Sequence, residues 1–122
     1  MHVGALHHVT LLVTNTKTAL EFYCGVIGLA CNTDRPELGF PGAWLDIGGQ
    51  QIHLIESGKT NRLADPTLSP SRDHHLALTV DSLDALKQTL GKAGVSYTES
   101  QRRRALFCRD PDGNGLEFIE RS

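Results

Sequence analysis

Four side chains able to ligate a metal ion stand at matched places in two halves of the chain, His8 and His53 in the first, His75 and Glu117 in the second. Imidazole nitrogen and carboxylate oxygen suit manganese, iron, cobalt, nickel or zinc, and a two-histidine, one-carboxylate set with open positions suits iron(II). Three histidines and one glutamate around a divalent ion leave a net charge of +1, which favours an anionic, oxygen-bearing ligand. Such an ion acts as a Lewis acid on two adjacent substrate oxygens and stabilises an enolate or alkoxide as charge develops.

The elements that position these residues are written twice. Leu6-His7-His8-Val9-Thr10-Leu11-Leu12-Val13 and His74-His75-Leu76-Ala77-Leu78-Thr79-Val80 both read as a strand opened by a double histidine. Each half closes on a similar strand, Ile52-His53-Leu54-Ile55-Glu56 and Leu116-Glu117-Phe118-Ile119-Glu120. Successive strand residues point to opposite faces. Val9, Leu11 and Val13 therefore pack inward and leave His8, Thr10 and Leu12 outward, and the second copy does the same with His75. Ile52 and Leu54 point inward against His53, and Leu116 and Phe118 against Glu117, so all four ligands take the outer face. Glu56 falls on the opposite face. His7 and His74 point to the helix side, as structural residues or supports for the ligands.

After the first strand, Asn15 or Thr16 caps a helix from Thr16 to Cys24, ended by Gly25 and Gly28. Residues 32–42, with Pro36 and Pro41, form a loop. Ala43–Ile47, a turn at Gly48-Gly49-Gln50 and the His53 strand make a hairpin. Trp44 either packs within the sheet or lines the pocket. Residues 57–73 are polar, broken by two prolines, and read as a linker between repeats that is functional or mobile and able to cover the site. Ser82 caps a second helix running to Ala93, with Leu83, Leu86 and Leu90 on one face and Gly94 beyond its end. Strands follow at Val95–Thr98 and Ala105–Cys108, with Arg102-Arg103-Arg104 at the tip between them as a solvated turn or a clamp for an anionic substrate. A turn cluster, Asp110-Pro111-Asp112-Gly113-Asn114-Gly115, leads to the last strand.

The expected fold is α+β: two tandem βαβββ modules, about 5–56 and 74–121, forming curved mixed sheets around a concave site in a single domain of 122 residues. A net charge of −2 argues against nucleic acid or an anionic membrane as the main partner. No apolar stretch approaches the roughly 20 residues of a membrane span. Cys24, Cys31 and Cys108 lack Cys-x-x-Cys spacing, and the chain opens without a charged, then apolar, leader. Structural thiols and a cytoplasmic compartment are expected.

Read in order, His8 to Val13 leading into Phe22 to Leu29, then His75 to Val80, then Asp110 to Asn114 before Leu116-Glu117-Phe118, the chain resembles the vicinal oxygen chelate superfamily. That group includes glyoxalase I, methylmalonyl-CoA epimerase, extradiol dioxygenases, fosfomycin-resistance enzymes and bleomycin-binding proteins. The resemblance covers nearly the whole chain and puts the family's metal positions on His8, His53, His75 and Glu117. It implies one divalent ion per site, with Glu117 and His53 acting on the substrate, and a homodimer that shares the pairs His8/His53 and His75/Glu117 between chains. Glyoxalase I is similar but usually carries a carboxylate where His53 stands, so that activity is not expected. The fosfomycin-resistance enzymes are similar through His8, His75, Glu117 and Thr10, which implies a thiol transferase using a thiol such as glutathione. Extradiol dioxygenases match the same metal set but are generally longer. A metal-free binding module like the bleomycin-binding relatives is the contrasting reading, and the retained ligands favour an enzyme.

Overall fold

The computed structural model describes residues 1–58 and 63–121. The chain divides into two compact units, Met1–Thr60 and Asn61–Ser122, each carrying one four-stranded sheet. The first holds β1 (His8–Val13), α1 (Thr16–Leu20), β2 (Ala30–Asn32), β3 (Gly42–Ile47) and β4 (Gln50–Glu56). The second holds β5 (His75–Val80), α2 (Leu83–Lys92), β6 (Tyr97–Glu99), β7 (Ala105–Arg109) and β8 (Gly115–Glu120). Strand order is β1-β4-β3-β2 and β5-β8-β7-β6. The outer pairs β1/β4 and β5/β8 are parallel, as a strand pair bridged by a helical crossover must be, and the hairpin pairs are antiparallel. The two βαβββ modules expected from the repeat are thus both present.

Apolar alternation decides which face each sheet buries. In the first half Val13, Ala43, Leu45, Ile52 and Leu54 are at most 5% exposed and pack with Ala19, Phe22 and Tyr23. In the second, Leu78, Leu106, Leu116 and Phe118 pack with Leu83, Leu86 and Leu90 of α2. Each such large side chain contributes about 1.5–3 kcal/mol by leaving water.

Both helices start the same way. Asn15 accepts from the Thr18 amide at 2.9 Å and Ser82 from the Ala85 amide at 3.1 Å, each satisfying one of the donors a helix start leaves orphaned. A second donor goes to the glutamate that ends each module: Thr16 N–H donates to Glu56 Oε1 at 2.7 Å, and Leu83 N–H to Glu120 Oε2 at 2.8 Å. Glu56 therefore lies on the helix side, as strand parity requires.

Three elements depart from expectation. The first helix is α-helical only to Leu20 and continues as a π-helical turn over Glu21–Val26, with Ile27 N–H donating to Phe22 C=O five residues back at 2.9 Å. The wider turn lets the consecutive rings of Phe22 and Tyr23 both bury, edge to face at 5.0 Å. β6 begins at Tyr97 rather than Val95, because the chain leaves α2 through Gly94 at φ +71° and Val95 N–H is drawn back to Leu90 C=O. β3 starts one residue early, at Gly42. Between modules, 59–62 lie outside the described residues, and 63–73 are held to the second half by Arg109, as set out below.

Candidate metal centre

On the first sheet, His8 and Thr10 of β1 and His53 of β4 share one face, with Thr10 directly opposite His53 in the parallel register. The His8 and His53 rings stack at 4.0 Å between centroids. Trp44, opposite His53 on β3, stacks on its other side at 4.5 Å and 9°. Trp44 thus stands on the ligand face. His7 abuts His8 edge-on at 5.1 Å, their Nδ1 atoms 2.9 Å apart so that one donates to the other.

A polar chain orients His53. Asn32 Nδ2 donates to Asp46 Oδ1 at 3.0 Å, Gln51 Nε2 donates to the same oxygen at 3.2 Å, and Gln51 Oε1 is left to accept from His53 Nε2 at 2.8 Å. The carboxylate fixes which way the amide points, and the amide then fixes the imidazole tautomer, leaving the neutral ring's lone pair on Nδ1. Burial, with smaller contributions from the charges of His8, His7 and Arg35, lowers the His53 pKa and keeps the ring in the neutral form that binds metals.

On the second sheet, His75 opens β5 and Glu117 lies on β8, only 2% exposed. Their approach at the base of β5 depends on Gly115, opposite His75: a Cβ there would meet His74 C=O at 2.6 Å and His75 Cβ at 3.0 Å. His75 Nε2 is 3.3 Å from Glu117 Oε1, and its Nδ1 donates to the Asp73 carbonyl at 3.0 Å. With Nδ1–H committed, Nε2 turns toward a carboxylate oxygen, an arrangement that is favourable with a proton or a metal ion between them. A carbonyl behind the ring and a carboxylate in front is the support a metal-ligating histidine usually has, so the donors fit a divalent ion. Glu117 Oε2 accepts from Arg103 Nη2 at 2.8 Å, which supplies the charge partner that a buried carboxylate needs.

Asp73 is buried and accepts from Arg109 Nη1 and from the amides of Asp65 and His74, all at 2.8 Å. The Arg109 hydrogen bond, first among these causes, brings its carboxyl down to about 2. Arg109 also donates to the carbonyls of Gly113, Leu68 and Asp65. Residues 63–73, part of the stretch 57–73 expected as a functional or mobile linker able to cover the site, are tied to Arg109 of β7 through Asp65, Leu68 and Asp73.

Several sequence expectations need correction. Arg102, Arg103 and Arg104 form an exposed tip, as one of the two sequence readings had it, while the Arg103 and Arg104 guanidinium groups are paired with Glu117 and Glu120 of β8 rather than left as a free anion clamp. His7 and His74 do not point under the helices. Both lie just before their strands, where alternation does not hold, and the His74 side chain is 78% exposed. Gln51, Asp46 and Asp73 were not anticipated, nor was Arg103 as the partner of Glu117. The two-residue turn at Gly48-Gly49 was a usable signal for the first pair, since it places Asp46 opposite Gln51. Of the thiols, Cys108 is buried and its pKa is pushed up to about 12 by desolvation, which leaves it unreactive.

Among the described residues, no three or more His, Cys, Asp or Glu side chains are gathered to hold one ion. The four candidates fall into two pairs, one on each sheet. No helix among the described residues is long and apolar enough to cross a membrane.

The chain is similar to known proteins in sequence and in fold. Glyoxylase I 4 of Arabidopsis thaliana is 30% identical over 125 residues, covering 97% of this chain and 71% of its own length. Catechol-2,3-dioxygenase of Bacillus subtilis is 27% identical over 96% of this chain, which spans only 40% of that enzyme. Among solved structures, one assigned to the glyoxalase family from Bacillus anthracis superposes with a TM-score of 0.80 at 26% identity, covering 100% of this chain and 98% of that one. Residues 5–118, from before β1 into β8, match the family model, and the chain belongs to the glyoxalase/bleomycin resistance protein/dioxygenase superfamily.

Proposed function

We propose that this protein is a divalent-metal-dependent enzyme whose ligands are His8, His53, His75 and Glu117, acting on a small anionic substrate that chelates the metal through two adjacent oxygens. The observation that carries this reading is the His75–Glu117 pair, with Nε2 and Oε1 facing each other at 3.3 Å while Nδ1 is spent on a carbonyl. The stacked His8/His53 pair supplies the complementary half-set. A full set needs both pairs. The reading therefore includes a homodimer in which His8/His53 of one chain meets His75/Glu117 of another.

When bound, the metal supplies Lewis-acid stabilisation of a developing enolate or alkoxide. The chain's own residues do the rest. Gln51 and Asp46 hold the His53 ring in one tautomer, Asp73 does the same for His75, and Arg103 keeps Glu117 oriented. Glu117 is the carboxylate placed to move a proton, and His53, at Nδ1, is either ligand or base. Thr10, beside His53, supports a second reading, a fosfomycin-resistance-type thiol transferase in which its hydroxyl meets the substrate. A cytoplasmic setting accords with three unpaired thiols.

Metal analysis of purified protein is expected to find about one divalent ion per chain, and His75→Ala is expected to remove it. Stoichiometric metal persisting in a variant with His8, His75 and Glu117 all changed to alanine would overturn the assignment. A monomer in analytical ultracentrifugation that still holds metal would overturn the shared site.

A further inference from the structure

Arg35, in the loop before β3, has no part in the metal set, and its surroundings are unusual for a cation. Among the described residues it forms no ion pair. Its Nε is buried and has no acceptor. Its Nη2 donates to the Phe40 carbonyl at 2.9 Å, and the guanidinium lies over the Phe40 ring at 5.4 Å. A buried guanidinium N–H without an acceptor costs free energy, as does a charge half-removed from water with no counter-ion.

The position of the group says where an anion would go. Arg35 Nη2 is 3.2 Å from the point a Cβ on Gly42 would occupy, so the guanidinium uses the room that glycine leaves at the start of β3. Gly42 lies two residues before Trp44 and by alternation shares its face, the one on which Trp44, His53 and His8 stack. Of the two N–H groups on Nη2, one is held by Phe40. Nη1 has no hydrogen-bond partner among the described residues and, unlike Nε, is not closed off from solvent, so its N–H groups are the donors that a planar carboxylate can reach.

We infer that Arg35 is the anion-binding residue of the first sheet's ligand face, taking the carboxylate of a small ligand beside the Trp44, His53 and His8 rings. This deepens the function proposed above, since it supplies the charged end of a substrate whose vicinal oxygens the metal would take. The site belongs to the chain with or without the ion.

The test is solution NMR of the full chain, metal-free and metal-loaded, following the Arg35 Nε–H and Trp44 indole N–H resonances. The probes are pyruvate, the neutral hydroxyacetone and methylphosphonate. Pyruvate is expected to shift both resonances saturably and hydroxyacetone to leave Arg35 unmoved. Arg35→Met is expected to weaken pyruvate binding about tenfold or more, and Arg35→Lys, which keeps the charge but loses the paired donors, to fall between. An Arg35 Nε–H that does not respond to saturating pyruvate would overturn the inference even if the variants failed to fold. So would unchanged pyruvate affinity in Arg35→Met, or a response to methylphosphonate alone. Failure to load metal while Arg35 still answers pyruvate would sink the proposed enzyme and leave this site standing.

Discussion

The two halves of the chain share strand order, register and helix capping, yet they surround their candidate ligands differently. On the first sheet β3 and β4 alternate between buried and partly exposed residues, and the ligand face holds stacked rings with a neutral amide behind His53. On the second, four consecutive residues of both β7 and β8 are buried, and Glu117 is shielded with Arg103 beside it. The difference follows from what each ligand needs. A neutral imidazole can sit half-exposed with one hydrogen bond to set its tautomer, whereas a carboxylate out of water needs a countercharge. The two halves thus share a scaffold and differ in what surrounds the candidate ligands.

The most drastic way to break this contrast is to give the first half a carboxylate of its own. Wild type is expected to turn over the hemithioacetal of methylglyoxal and glutathione negligibly. His53→Glu is the single change expected to raise that rate, by the roughly 10²–10⁴-fold that a placed general base contributes, as read by product absorbance. Robust wild-type turnover that tracks added nickel or zinc would show that His53 already serves as the second base.

Next in size come the cores. Leu45 and Leu90 are both 0% exposed, one in each half. Leu45→Ala and Leu90→Ala are each expected to cost about 2–5 kcal/mol in urea unfolding. A loss below this range at only one of them would mean that its half relaxes to fill the cavity.

The supports of the ligands separate the halves more finely. Gln51→Leu removes the acceptor of His53 Nε2, and Arg109→Lys loosens the four contacts that hold Asp73 and the loop in front of His75. Each is expected to weaken metal binding about 10–100-fold in chelator competition. An unchanged affinity in Gln51→Leu would restrict His53 to the role of base.

The smallest effect lies in acid. Asp73 and Glu120, in the second half, are both drawn down to about 2, from ordinary values of 3.8 and 4.5, chiefly by hydrogen bonds from Arg109 and Arg104. Groups depressed in the folded state stabilise it above their unfolded pKa, and that contribution disappears as pH falls through the folded value. The thermal midpoint is therefore expected to drop between about pH 4.5 and 2, and Glu120→Gln should flatten part of that slope. An equally steep slope in the variant would assign the acid loss elsewhere.

Much of the fold was legible because it rests on local periodicity stated twice. Strand parity alone placed Val13, Ile52, Leu54 and Leu116 inward and His8, His53, His75 and Glu117 outward, and Asn15 and Ser82 announced the two helix starts. The π-helical turn was not legible, since burying Phe22 and Tyr23 together is a demand of packing rather than of spacing. The later start of β6 likewise depended on how Gly94 returns the chain to α2.

The sequence by itself determined the duplicated modules, their inward faces and the identities of the four candidate ligands, because each follows from the two-residue period of a strand. Gln51 behind His53 is also a matter of that period, since the two lie two residues apart on β4. Tertiary structure alone decided the long-range supports: Arg109 reaches Asp73, Asp65 and Leu68 from the far end of the half, and Arg103 meets Glu117 because a hairpin folds its tip back onto β8. Those contacts join residues 14 to 44 apart, a separation that carries no period, and only the packed chain brings them within hydrogen-bond reach.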